Sequence, residues 1–167
     1  MAVINDYPLT NAGAVAADAD VAARFSGNKV KSVFVSFEVA AADSDGSIYR
    51  VARLSPQAII KSIKIKSDAI AGATVYSIGV YKPLSLDGSV VSIACLVANT
   101  DINAGYAAFT ELFAPDAANV GKPLYALAGI TDANQVKYGT LDVAVVGVTV
   151  GTAAGTIALV IEYVDGV

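Results

Sequence analysis

Apolar and polar residues alternate with a period of two through most of this chain, which predicts strands rather than helices. From Val30 to Val39, the positions Val33, Val35, Phe37 and Val39 alternate with Ser32, Phe34, Ser36 and Glu38. D-S-D-G follows at 43–46, and S-I-Y-R-V-A-R-L at 47–54 reads as the returning arm of a hairpin, because Asp-Gly accepts the positive φ of a tight turn. After a corner at Pro56, a third strand over 59–67 turns Ile59, Ile63 and Ile65 inward and Lys64 and Lys66 outward. A turn at Ala71-Gly72 leads to a fourth strand with Thr74, Tyr76, Ile78 and Val80 on one face. Pro83 and Asp87-Gly88 break the pattern, and 90–97 reads as a further strand.

The strongest β signal comes last. L-D-V-A-V-V-G-V-T-V and T-I-A-L-V-I-E-Y-V, joined by G-T-A-A-G at 151–155, predict a second hairpin. Ile157, Leu159, Ile161 and Tyr163 share one face, while Ala158, Val160, Glu162 and Val164 share the other. Leu141, Val143 and Val145 alternate with Asp142, Ala144, Val146 and Val148. With neither face strongly polar, both should be covered, one by the core and the other by another chain. Two stretches depart from this period. Phe109, Leu112 and Phe113 stand at helical spacing, and in G-K-P-L-Y-A-L-A-G at 121–129 a proline opens and a glycine closes a short helix that would plug one end of the fold.

Residues 1–28 are rich in Ala, Asn, Asp and Gly without a clean period, and predict an extended N-terminal arm lying against a neighbouring subunit. The expected organisation is therefore an arm over 1–28 and one domain over 29–167. The fold class is mainly β: a single-domain antiparallel β-sandwich or jelly roll with one or two short helices.

Composition narrows the function classes. The chain has 167 residues, 55% of them hydrophobic and only 16% charged, yet no apolar run is long enough to span a membrane. High apolarity without a span points to surface buried between subunits. A net charge of −4 argues against a nucleic-acid binder. The chain contains no histidine, which removes the Ser-His-Asp and Cys-His arrangements and the commonest metal ligand. The lone Cys95 sits in an apolar run with no nearby Lys or Arg, the setting of a small buried hydrophobe rather than a reactive thiol. The D-S-D-G segment resembles the start of a calcium loop, but the twelfth position is Leu54, so it reads as a plain turn. No catalytic, metal or cofactor residue is nominated.

Two surfaces remain as candidates. Arg50, Arg53, Lys61, Lys64 and Lys66 lie in a stretch free of acidic residues and could dock on an acidic partner, although strand-face spacing alone also explains them. Val160, Glu162 and Val164, on the outer face of the last strand, are the candidate oligomer contact. Tyr49, Tyr76 and Tyr81 on neighbouring strands could form an aromatic platform for sugars, or could simply pack a sheet.

Together, G-K-P-L-Y-A-L-A-G-I-T at 121–131, the strands at 141–164, and S-I-Y-R-V-A-R-L-S-P-Q-A-I-I-K-S-I-K-I at 47–65 resemble small β-rich structural proteins of tailed bacteriophages, namely capsid decoration (cement) proteins and related virion jelly rolls. The resemblance covers roughly residues 30–164. It implies a non-enzymatic virion protein, made in the host cytoplasm, that binds the outer surface of an assembled capsid as a homotrimer and stabilises it. Its partners would be the major capsid protein and itself, with no nucleic acid, membrane or cofactor. The alternative is a fibre anchor or a carbohydrate- or receptor-binding β-sandwich module.

Overall fold

The computed structural model describes residues 5–6, 29–72, 75–131 and 139–165. Among these residues, nine strands and one short helix follow in chain order: β1 (Asn5–Asp6), β2 (Val30–Val39), β3 (Ile48–Leu54), β4 (Ile59–Ser67), β5 (Val75–Tyr81), β6 (Val90–Asp101), β7 (Tyr106–Glu111), α1 (Leu124–Leu127), β8 (Leu141–Thr149) and β9 (Gly155–Val164). They form two sheets, ordered β1-β3-β8-β5-β6 and β2-β9-β4-β7. All pairings are antiparallel except that of β1, which lies parallel to β3 with Asn5 opposite Ile48 and Asp6 opposite Tyr49. Setting β1 aside, the two four-stranded orders are those of a jelly roll, as the alternation predicts.

The core lies between the sheets. One sheet contributes Val35 and Phe37 from β2, Ile63 and Ile65 from β4, and Ile157, Leu159 and Ile161 from β9. The other contributes Tyr49 and Leu54 from β3, Ile78 and Val80 from β5, and Leu141, Val143 and Val145 from β8. Phe37 and Tyr49 stack across the interface with ring centroids 4.8 Å apart. Ile157, Leu159 and Ile161 are completely buried, each contributing about 2 kcal/mol of transfer free energy.

Strand positions follow the sequence pattern closely, but strand partners do not. β2 and β3 are not a hairpin: β2 pairs with β9, and β3 with β8. Likewise β8 and β9 lie in opposite sheets, so the Gly151–Gly155 segment is a crossing between sheets and not a hairpin turn. Turn residues dictate that the chain reverses, not which strand receives it. Of the strands consecutive in sequence, β5 and β6 are the ones that pair, through the predicted break at Asp87-Gly88.

The helical spacing at 106–113 is also overridden. Tyr106–Glu111 is the edge strand β7, held by β4 with Lys64 opposite Glu111 and Ile65 opposite Thr110. Backbone pairing with an open sheet edge outweighs the weak helix preference of three aromatic and aliphatic positions. The second helix forms as α1, with Pro123 at its start and Gly129 just beyond it at φ +75°. Its Leu124 N–H donates to Ala58 O at 2.8 Å and Leu124 is completely buried, so the helix closes one end of the sandwich. Thr74 and most of the 1–28 arm lie outside the described residues.

Candidate functional site

The five basic residues nominated from sequence divide between the two sheets. Arg50 and Arg53 stand on the outer face of β3, and Lys61, Lys64 and Lys66 belong to β4 in the other sheet. Arg50 has no exposed surface. Its Nη1 donates to Lys82 O at 2.9 Å and to Asp142 Oδ2 at 3.1 Å, and its Nη2 donates to Gly88 O at 2.7 Å. The guanidinium also lies 5.3 Å from the centroid of the Tyr81 ring. Arg53 Nε donates to Asp142 Oδ1 at 2.8 Å, so one carboxylate on β8 serves two guanidiniums on β3. Burial pushes the Asp142 carboxyl above the ordinary carboxylate value, against the pull of Arg53 and Arg50.

This cluster fixes a loop. The carbonyls that Arg50 binds, those of Lys82 and Gly88, bracket the β5–β6 connection. Asp87 there has φ +143°, and its carboxylate accepts from Ser89 N–H at 2.9 Å and from the Ser89 hydroxyl at 2.8 Å. Those bonds and Lys82 pull its pKa down to about 2. Arg50 is therefore a structural cation and has no face to offer a partner. Ala144 and Val146, beside it on the outer face of β8, are also buried. The second covered face expected for this strand is thus buried within the one chain.

The other sheet has the opposite character. On its outer face the register aligns Phe34 of β2 with Val160 of β9, Val160 with Lys64 of β4, and Lys64 with Glu111 of β7. Phe34 and Phe109 are 63% and 43% exposed, and their rings meet edge to face with centroids 6.2 Å apart. They belong to the two edge strands of a four-stranded sheet, roughly 14 Å apart at the usual strand spacing. The rings therefore lean toward each other across β9 and β4, forming an aromatic bridge over the face. Val30, 61% exposed, extends the apolar surface along β2.

Charged groups surround this bridge. Lys64 pairs with Glu162 at 3.7 Å. Glu111 accepts from the Ser62 hydroxyl, from Ile63 N–H at 2.9 Å and from Phe113 N–H at 3.0 Å. Glu38 accepts from Thr156 Oγ1 at 2.9 Å. Lys61 and Lys66 are exposed and form no ion pair among the described residues. Of the nominated oligomer residues, Val160 and Glu162 are half-buried on this same face and Val164 is buried. The structure thus joins the β4 lysines to the β9 positions in one surface and separates both from the arginines.

Phe34 was visible in the sequence as a large aromatic in the polar phase of its strand. Phe109 was not, because its spacing mimicked a helix. Tyr49, Tyr76 and Tyr81 are buried and form no exposed platform. Asp43 and Asp45 are spent on the fold: Asp43 accepts from Ala40 N–H and the Tyr49 hydroxyl, and Asp45 from Val150 N–H. Among the described residues no His, Cys, Asp and Glu cluster could hold a metal ion. Cys95 is partly buried against the core, and burial pushes its thiol up.

No protein-family model matches the chain, and no curated protein matches it. Among solved structures, a chain in the capsid of Ralstonia phage GP4 is similar at a TM-score of 0.58 and 15% identity, over 86% of this chain and 88% of that one. A chain in the capsid asymmetric unit of cyanophage Pam1 is similar at a TM-score of 0.51 and 16% identity, over 83% and 86%. At such identities the likeness is one of fold. The nearly equal coverages mean that these chains are also close to this one in length.

Proposed function

We propose that the chain is a phage virion structural protein that binds the outside of an assembled capsid and stabilises it without enzymatic chemistry. The observation that carries this reading is the jelly roll shared, over 86% and 83% of this chain, with chains of similar length in two phage capsids. The high apolar fraction, the open aromatic bridge and the two exposed lysines beside it fit a protein that completes its burial against other chains. Trimers at local symmetry axes would multiply a modest contact of about 800 Å² per partner into firm retention. The major capsid protein is the proposed partner.

The test combines mass and binding. Purified protein is sized by light scattering, mixed with capsids assembled without it, and sedimented. Trimers that co-sediment at a fixed stoichiometry are the expected result. A species that ignores capsids and binds a glycan array would transfer the chain to the receptor-binding class.

A further inference from the structure

We infer that the outer face of the β2-β9-β4-β7 sheet is the capsid-docking surface, with the Phe34–Phe109 bridge as its apolar anchor and Lys61 and Lys66 as its basic rim. This rests on the decoration reading and says where the contact lies. The occupant is a shell-subunit surface that carries carboxylates around an apolar socket.

Three features of the face support it. Phe34 and Phe109 stay exposed while the other sheet face contributes a continuous buried core. Aromatic side chains that pack into a partner pocket are the usual energetic centre of an interface. Their mutual edge-to-face contact also holds both rings in place before binding, which lowers the ordering cost.

The charge pattern selects the partner. Each acidic residue on the face is engaged within the chain: Glu162 by Lys64, Glu111 by Ser62, Ile63 and Phe113, and Glu38 by Thr156. Lys61 and Lys66 are left as the cations available for an external carboxylate. Glu38, Glu111 and Glu162 balance Lys61, Lys64 and Lys66 in number on this face, so its positive charge is local to β4, where Lys61 and Lys66 are exposed outside any ion pair among the described residues.

The experiment compares full-length wild type, Phe34→Ser with Phe109→Ser, Lys61→Glu with Lys66→Glu, and a control, Leu84→Ser with Leu86→Ser, which removes exposed apolar groups from the β5–β6 loop. Each is checked for thermal unfolding and for mass by light scattering, then titrated with capsids assembled without the chain. The aromatic double variant should retain fold and mass but bind at least about tenfold more weakly. The lysine variant should associate more slowly and lose most of the salt dependence of wild type, and the control should bind normally. Undiminished capsid binding by the aromatic variant overturns the assignment. A changed mass in that variant also overturns it, because the face would then join copies of this chain. If wild type itself ignores the capsids, it is the decoration reading that fails.

Discussion

At the scale of single residues, Arg50 and Asp142 show how far a side chain's role depends on what lies across the sheet. A basic residue on the polar phase of a strand reads as solvated, and nothing local to β3 says otherwise. Asp142 arrives from 92 residues away and turns the position into a buried ion pair. Asp142→Asn should therefore destabilise the fold by about 3 kcal/mol, since a buried guanidinium loses its counter-charge; urea unfolding of the variant against wild type measures it. The tyrosines supply a second prediction. Burial, reinforced at Tyr49 by Asp43, pushes Tyr49 far above the ordinary phenol value, and burial also raises Tyr76, Tyr81 and Tyr163. A folded-state pKa above the unfolded one means stability that is complete below about pH 10 and falls as pH rises beyond it. Tyrosinate absorbance should accordingly lag behind a free-phenol titration and then rise together with loss of the β-sheet circular dichroism. Early, independent ionisation of all the tyrosines would contradict this burial.

At the scale of elements, the period-two pattern located the strands and most of their inner rows because alternation is a local property of the chain; on β4 the bulge between Ile60 and Ser62 puts Ile60, not the expected Ile59, into the core. The inner row of β9 was readable in full, as was the capped helix α1. Pairing was not readable, because a ladder is made with residues far away in sequence and a turn residue carries no information about the receiving strand. The same limit hid half of the candidate surface: Phe109 joins Phe34 only because β7 and β2 bound the same sheet. The β5–β6 pair offers an element-scale test. A Cβ at Gly79 would fall 2.2 Å from the Ser92 carbonyl oxygen and 2.4 Å from the backbone of Ile93. Gly79→Ala should cost about 1–3 kcal/mol by pushing the two strands apart, and a larger acceleration of amide hydrogen exchange over wild type in β6 than in β9 would localise the damage.

At the scale of the molecule, the arm and the domain should separate experimentally. β1 touches the body through two paired residues, a small part of the hydrogen bonding that holds the sheets. A chain lacking residues 1–28 should keep its thermal transition within a few degrees and be retained less on capsids, since the arm is expected to reach a neighbouring subunit; equal retention would leave docking to the sheet face alone. The position of β9 between β2 and β4 has a further consequence. It follows every other described strand in the chain and is the central partner of two early ones. At about 5–20 residues per second, Val30 waits on the order of ten seconds after leaving the ribosome before Val164 exists to pair with it. A nascent chain that stops after Thr149 should remain unfolded by circular dichroism, however complete its first eight strands. Folding of the sandwich therefore waits for β9, and chaperones have that whole interval in which to act on the nascent chain.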